Sequence, residues 1–291
     1  MRPLIFERDG EEAGPEAKVL LTTKGACEWT SYLDMANVMW VGLKPLAIED
    51  VPPSVRYVVC PATGTDHLPL MELAARGVQV ISLAGNPGLR DVPATAELTI
   101  ALMLAMQRRL PVAIRSEAHE RHPDLFGMDL RGKRVAVIGY GRIGKMVSDL
   151  LWAFGARPMG LDIRHGDMQR QMAECLPVAD IVTLHVDLNP TSVGLIGAKE
   201  LAAMKPGAML VNTSRGAVVD EAALLRDMRR GSTTAALDVT SGSHDEELRK
   251  FSADHPDRLL LTPHLGGYTA ESTATAERLA VERLLEVYRD A

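Results

Sequence analysis

Short apolar runs rich in β-branched residues recur along the chain and alternate with segments of helical pattern. Such alternation, with few hairpin-turn sequences, predicts parallel sheets covered by helices, so we expect a doubly wound α/β fold. The runs are AKVLLTT, ANVMWVG, VRYVVCPA and VQVISLAG, followed by KRVAVIGYG, ARPMGLDIR, ADIVTLHV, GAMLVNTS, TAALDVT and RLLLTPH.

A long helical pattern over residues 95–120 separates the first four runs from the others. Thr95 or a neighbour could cap its start, and Pro111 would kink or interrupt it. Its first half, LTIALMLAM, is apolar on nearly every face, which predicts burial on more than one side. A subunit interface would bury it in this way, and so would packing within one chain.

Composition favours a two-domain protein that acts on a small molecule. The 291 residues are 46% hydrophobic and carry a formal net charge of −6, without a Lys/Arg-rich block that would indicate nucleic acid. No apolar run approaches the roughly 20 residues of a membrane span, and the first eighteen residues do not resemble a signal peptide, so we expect a cytoplasmic protein. Cys27, Cys60 and Cys175 show no CxxC spacing, so neither disulfides nor a metal site is expected.

The strongest local motif is RVAVIGYGRIGKMV, a strand that leads through Gly139, Gly141 and Gly144 into a helix. These glycines allow a tight turn, close approach of a pyrophosphate and close helix packing, and the helix N-terminus attracts phosphate. Asp162 ends the next strand and could accept hydrogen bonds from the adenosine ribose hydroxyls. This favours NAD over NADP, although Arg164 follows two residues later. The alternative is a glycine turn without a ligand.

Two further positions could carry chemistry. Arg215 follows the strand GAMLVNTS, where its guanidinium could hold a substrate carboxylate, or it could be a surface arginine paired with Asp220. His264 lies after RLLLT between a proline and two glycines, and an imidazole there could exchange a proton with a reacting oxygen. His185 ends the strand TLHV and could line the cofactor site.

Together these motifs resemble the D-isomer-specific 2-hydroxyacid dehydrogenases. The resemblance runs from Val58 to the C-terminus and depends on GYGRIG, NTSRGAVVDEAAL, AALDV and TPHLGG in that order. It implies a Rossmann NAD domain, residues 94–267, inserted into a flavodoxin-like substrate domain, residues 1–93 and 268–291. It also implies an oxidoreductase that forms homodimers through the NAD domain and transfers a hydride between NAD(H) and C2 of a small D-2-hydroxy or 2-oxo acid. Glycerate, phosphoglycerate, glyoxylate and hydroxypyruvate are representative substrates.

The resemblance also implies roles for individual residues. Arg215 matches the substrate-carboxylate arginine and His264 the general acid/base, while Thr63 and Gly64 lie in the loop that contacts the substrate. The cofactor-binding residues expected from the motif and the resemblance together are Gly139, Gly141, Arg142, Ile143, Gly144, Asp162, His185, Thr213, Ser214 and Asp238.

Two departures from the family pattern stand out. The N-terminal part looks short by one strand–helix unit. In addition, Ser243 stands where the family has a glutamate that pairs with the histidine, and the loss of that carboxylate could slow reduction by a factor of about 10 to 1000. Asp245, Glu246 or Glu247 could replace it, with Glu246 favoured. A surface role for all three and the loss of the pair also remain open. These departures leave a second hypothesis, an NAD(H)-sensing, corepressor-like binding protein on the same fold.

Overall fold

A computed structural model describes residues 4–7, 13–14, 17–18, 28–29, 36–116, 120 and 122–289. The chain divides into two compact units, Met1–Val92 with Thr269–Ala291, and Pro93–Tyr268. In these described segments no helix combines the length and the apolar character that crossing a membrane requires.

The first unit contains a parallel sheet with strand order β2-β1-β3-β4-β5. The strands are β1 Leu4–Glu7, β2 Glu28–Trp29, β3 Val38–Trp40, β4 Tyr57–Val59 and β5 Gln79–Ile81. Its helices include α1, Leu70–Ala75, and the C-terminal α9, Ala270–Arg289. This strand order is that of a flavodoxin-like sheet.

The expectation that this unit lacks a strand is wrong. The run AKVLLTT begins with Ala17 and Lys18 in helical conformation, and its residues 19–23 lie outside the described part of the chain. The segment Leu4–Glu7, which the pattern did not predict, forms the strand between β2 and β3. Each face of the sheet has its own core. Val38 and Trp40 pack with residues of α9 on one face, and Met39 packs with Leu73 of α1 on the other.

The second unit contains six parallel strands in the order β11-β10-β9-β8-β6-β7. They are β6 Arg134–Ile138, β7 Arg157–Leu161, β8 Ile181–Leu184, β9 Met209–Asn212, β10 Thr234–Leu237 and β11 Leu259–Leu261. The helices are α2 Ala94–Gln107, α3 Leu110–Arg115, α4 Arg142–Ala153, α5 Met168–Cys175, α6 Ala198–Ala203, α7 Glu221–Arg230 and α8 Asp245–Asp254. The chain therefore has two doubly wound parallel sheets, which confirms the predicted fold class.

Alternating side chains of β6 show how the second sheet is covered on both faces. Val135 and Val137 join a core with α2 and α4, whereas Ala136 and Ile138 join a separate core with α5 to α8. The continuous apolar character of the strand is thus explained by burial of both faces.

The helical pattern over residues 95–120 forms two helices instead of one. After α2 ends, Arg109 takes a left-handed conformation (φ 52°), and Pro111 lies in the first turn of α3. Pro93 occupies the N-cap position of α2 and no side chain caps the helix, so Thr95 does not cap it. Residues of α2 pack against α4 and the sheet of the same chain. Packing within one chain therefore accounts for much of its apolar surface.

Candidate functional site

The predicted cofactor residues of the second unit converge on the carboxyl edge of its sheet. The final residues of the six strands pair across the sheet in one row: Leu161, Ile138, Leu184, Asn212, Leu237 and Leu261. Five of the predicted residues come directly after members of this row: Asp162, Gly139, His185, Thr213 and Asp238. The chain passes from β7 back across β6 to β8, so this edge includes the point where the strand order reverses, where open α/β sheets bind ligands.

The glycine loop fits a dinucleotide pyrophosphate. Gly139 has a φ of 93°, and a Cβ on it would meet the carbonyl oxygen of His185 at 2.5 Å. A Cβ on Gly144 would meet the carbonyl oxygen of Gly139 at 2.1 Å, so the helix packs directly on the turn. By contrast, a Cβ on Gly141 would find no heavy atom within 4 Å. Gly141 is the N-cap of α4 and provides no side-chain cap, which leaves N–H groups of the first turn, near Arg142 and Ile143, for phosphate.

His185 is held as a neutral imidazole. Its Nε2 lies 3.0 Å from the hydroxyl of Thr183, and its Nδ1 is buried without a hydrogen-bond partner in the described structure. Burial lowers the pKa of His185 to about 3. An imidazole with this pKa cannot donate a catalytic proton at neutral pH.

Buried polar contacts fix the end of β9. The side-chain oxygen of Asn212 accepts hydrogen bonds from the Ser214 amide (3.0 Å) and hydroxyl (2.8 Å), and its Nδ2 donates to the Arg215 carbonyl (2.9 Å). The hydroxyl of Thr213 contacts that of Thr99 on α2 at 2.9 Å. The apolar pattern of α2 gave no indication of this role for Thr99.

Arg215 is half-buried at the carboxyl edge of β9, and its Nη1 donates to the carbonyl of Ser214 (2.8 Å). Asp220, the acid considered as its surface partner, is the N-cap of α7, and its carboxylate accepts from the amide of Ala223 (2.9 Å). The carboxylate of Asp220 therefore stabilises the start of a helix.

His264 has a backbone conformation that is unusual for a residue other than glycine. Its φ is 57°, and its amide donates to the Asp238 carbonyl (2.9 Å). Asp238 is 1% exposed, and its carboxylate holds the same turn with both oxygens: Oδ1 accepts from the Thr262 hydroxyl (2.6 Å) and the Leu265 amide (2.8 Å), and Oδ2 from the Gly266 amide (2.8 Å). The imidazole itself is exposed. Asp238 therefore positions His264, a role that the resemblance did not assign.

We predict that Asp238→Asn destabilises the protein by about 1.5–3 kcal/mol, because an amide nitrogen cannot accept the bond from Gly266 and the remaining bonds lose their charged acceptor. Urea unfolding followed by circular dichroism measures the effect. Asp227→Asn is the matched control, because its described partner is a rotatable hydroxyl, that of Thr233 (2.6 Å). Equal losses in the two variants would contradict a special role for Asp238.

The structure does not bring Glu246 to His264. Ser243 and Glu246 are exposed, and Glu246 lies in the first turn of α8, where a carboxylate stabilises the helix start. Asp245 pairs with Arg249 at 3.1 Å, and Glu247 pairs with Arg229. Within the described part of the chain no hydrogen bond or ion pair reaches the His264 imidazole. A Glu246–His264 pair stays a prediction that no described contact supports.

A buried acid that the sequence interpretation missed fixes the loop around Ser243. The Glu221 carboxylate accepts hydrogen bonds from the Ser241 amide (2.5 Å) and hydroxyl (2.6 Å). Across the same loop, a Cβ on Gly216 would meet the Thr240 carbonyl carbon at 2.0 Å. The turn after Arg215 and the loop after β10 are therefore packed together. Glu221 follows the N-cap of α7 in VVDEAAL, which resembles an ordinary acidic first turn and so gave no distinguishing signal.

The predicted substrate-loop residues lie in the first unit. Thr63 is exposed and Gly64 half-buried in the loop that follows β4, at the carboxyl edge of that sheet. This loop is anchored by the Leu83 amide, which donates to the Ala62 carbonyl (2.9 Å).

Residues 100–266 match the family model of the D-isomer-specific 2-hydroxyacid dehydrogenase NAD-binding domain. The chain belongs to this family. It is 33% identical to a glyoxylate reductase of Thermococcus litoralis over 80% of this chain and 74% of that one. It is 32% identical to a D-3-phosphoglycerate dehydrogenase of Rattus norvegicus over 76% of this chain, which spans 42% of that relative's length.

Among solved structures, a D-lactate dehydrogenase from Aquifex aeolicus, complexed with NAD and lactic acid, superposes with a TM-score of 0.78. That likeness covers 99% of this chain and 96% of the other at 22% identity, so it concerns the fold. The family match confirms the predicted family, its class of NAD-dependent oxidoreductase acting on a CH–OH group, and NAD as the cofactor of the second unit. The roles of individual site residues remain predictions.

Proposed function

We propose that this dehydrogenase reduces a small 2-oxo acid to the D-2-hydroxy acid with NADH and catalyses the reverse oxidation with NAD. The observation that carries this proposal is the set of hydrogen bonds by which the buried Asp238 carboxylate holds the turn of His264. A buried carboxylate holds the turn of His264, whose backbone is left-handed and whose side chain is exposed, and local strain of this kind clusters at functional sites. Asp238 follows β10, and Arg215 follows β9, the strand that pairs with β10, at the same edge of the sheet.

The reduction needs a hydride and a proton at the C2 carbonyl of the substrate. NADH supplies the hydride when it is bound. In our proposal the guanidinium of Arg215 holds the substrate carboxylate through two charge-assisted hydrogen bonds and polarises the adjacent carbonyl. The imidazolium of His264 donates its proton to the oxygen as the C2–H bond forms, and the neutral imidazole takes that proton back in the oxidation.

The substrate is proposed only as a class. For a 2-oxo acid of two or three carbons, Arg215 is the proposed contact of the carboxylate, and Thr63 and Gly64 stay predicted substrate residues of the first unit. The assay that tests the function follows NADH absorbance with glyoxylate, hydroxypyruvate, pyruvate and phosphohydroxypyruvate, and then follows NAD reduction with the D and L forms of glycerate, lactate and 3-phosphoglycerate. We expect turnover with at least one 2-oxo acid and oxidation of the D isomer alone. A protein that binds NADH and turns over none of these compounds would contradict the proposal.

The second candidate is an NAD(H)-sensing protein with little catalysis. The exposed imidazole of His264, which has no carboxylate partner in the described structure, favours it. The sensor hypothesis gives Arg215 no ligand, whereas the dehydrogenase uses Arg215 and His264 together. The two candidates differ in the assay above, because a sensor would bind NADH tightly and leave it unoxidised with every acid of the panel.

We also propose that the protein forms a homodimer through its second unit. Large apolar side chains are exposed in the segments that follow α2: Ile114 of α3 is 81% exposed and Phe126 is 86% exposed. The segment of Phe126 is bound to α2, because the Met128 amide donates to the Gln107 carbonyl (2.8 Å). In our proposal these side chains are buried against the second subunit. Light scattering that gives the mass of a single chain would contradict the proposal.

A further inference from the structure

Arg164 connects the end of β7 with the glycine loop, and these two segments border the adenosine end of the predicted nucleotide site. Its Nε donates to Oδ1 of Asp162 (2.8 Å), and its Nη2 donates to Oδ2 of Asp162 (2.6 Å) and to the carbonyl of Tyr140 (3.1 Å). Asp162 directly follows β7, and Tyr140 lies between Gly139 and Gly141 in the glycine loop. The arginine side chain is 62% exposed, whereas that of Asp162 is 8% exposed.

Backbone hydrogen bonds fix the position of the glycine loop beside the end of β7. The amides of Gly139 and Tyr140 both donate to the carbonyl of Leu161, at 2.9 and 3.1 Å, and tie the glycine loop to the end of β7. The side chain of Gln171 holds the backbone of Asp162, because it accepts a hydrogen bond from the Asp162 amide and donates one to the Asp162 carbonyl. In a dinucleotide-binding fold the acid at the end of this strand accepts the ribose hydroxyls.

Here both carboxylate oxygens of Asp162 already accept hydrogen bonds from Arg164, which also donates its own amide to Oδ1 (2.9 Å). The ribose hydroxyls of NAD must therefore share or displace a guanidinium. The paired positive charge also cancels the negative charge by which an unpaired aspartate repels a 2′-phosphate. Of the five guanidinium N–H groups, the two on Nη1 form no hydrogen bond in the described structure.

We propose that Arg164 gives this nucleotide site a place for a 2′-phosphate, so that the chain binds NADP(H) as well as NAD(H). The phosphate takes the two N–H groups of Nη1 at the exposed edge of the guanidinium, while Asp162 holds the other edge in place. Arg164 is thus a specificity-determining residue of the nucleotide site. The inference concerns binding alone, and failure of the dehydrogenase assay would leave it standing.

Titration calorimetry of the full chain with 2′,5′-ADP and with 5′-AMP isolates the 2′-phosphate, and the same titrations with NADPH and NADH test intact cofactors. We expect the wild type to bind the members of each pair within about tenfold of one another. In Arg164→Gln we expect 2′,5′-ADP and NADPH to bind about 10 to 100 times more weakly, with 5′-AMP and NADH unchanged or tighter. Added salt should weaken 2′,5′-ADP more than 5′-AMP.

Arg170→Gln is the matched control, because Arg170 is an exposed arginine nearby that pairs with Glu174 in the next helical turn. Arg170→Gln should change neither the affinity of 2′,5′-ADP relative to 5′-AMP nor that of NADPH relative to NADH. A wild type that prefers NADH over NADPH by more than about 100-fold would overturn the proposal, since the paired arginine would then not offset the aspartate. A ratio that Arg164→Gln leaves unchanged would overturn it as well.

Discussion

Replacement of His264 by asparagine is expected to lower the rate of NADH-dependent reduction by about 10²–10⁴, which is the usual contribution of a positioned general acid. The same substitution should leave the free energy of unfolding unchanged or raise it, because asparagine tolerates a positive φ better than histidine. Steady-state kcat and urea unfolding are measured on the same preparation. Loss of activity with gain of stability is the signature of a residue held in strain for its chemistry.

Glycine and alanine at position 264 separate the backbone effect from the chemical one. Both remove the imidazole and should be equally inactive. Glycine pays no Cβ penalty in the left-handed region, so His264→Gly should unfold with a free energy about 1 kcal/mol higher than His264→Ala. A kcat within tenfold of the wild type in His264→Asn would exclude His264 as the acid.

Glu246→Gln is the control for the predicted acid–base pair. Because Glu246 is exposed in the first turn of α8, we expect the pH profile of reduction to be the same in this variant and in the wild type. A shift of the profile toward lower pH in Glu246→Gln would instead show that this carboxylate reaches the imidazole in the working enzyme.

The positions of the candidate residues along the strands could be predicted from sequence, because a parallel strand buried on both faces is a recognisable apolar run that ends where polar residues begin. Gly139, Asp162 and Asp238 were therefore placed correctly at strand ends. The strand Leu4–Glu7 was missed because its short apolar run ends at Glu7 and lies within a charged segment that shows no strand pattern.

The partners of the polar side chains could not be predicted in the same way. Asp238 and Asp162 look alike in sequence, since each is an aspartate after an apolar strand. One carboxylate holds the turn of His264, 26 residues later in the chain, and the other is paired with Arg164 two residues away. Which groups meet a buried carboxylate depends on the three-dimensional course of loops, on which hydrophobic periodicity carries no information.

Replacement of Arg215 by glutamine is expected to lower kcat/KM for the 2-oxo acid by about 10²–10⁴, because two charge-assisted hydrogen bonds of about 1.5–3 kcal/mol each are lost. Arg215→Lys retains the charge without the planar fork, so we expect a smaller loss, about 10- to 100-fold. The loss should appear largely as a higher KM for the acid, with the dissociation constant of NADH unchanged when measured by calorimetry.

A change in KM for the 2-oxo acid indicates that Arg215 binds the substrate carboxylate, whereas a change in the dissociation constant of NADH indicates a structural role. The side chain of Arg215 also donates to the Ser214 carbonyl, so loss of a purely structural arginine would disturb Thr213 and Ser214, which are predicted to bind the cofactor, and would weaken NADH binding. Arg226→Gln, an exposed arginine on α7, is the matched control and should change neither constant. If Arg215→Gln leaves KM and kcat unaltered, the substrate carboxylate binds elsewhere and Arg215 is not its clamp.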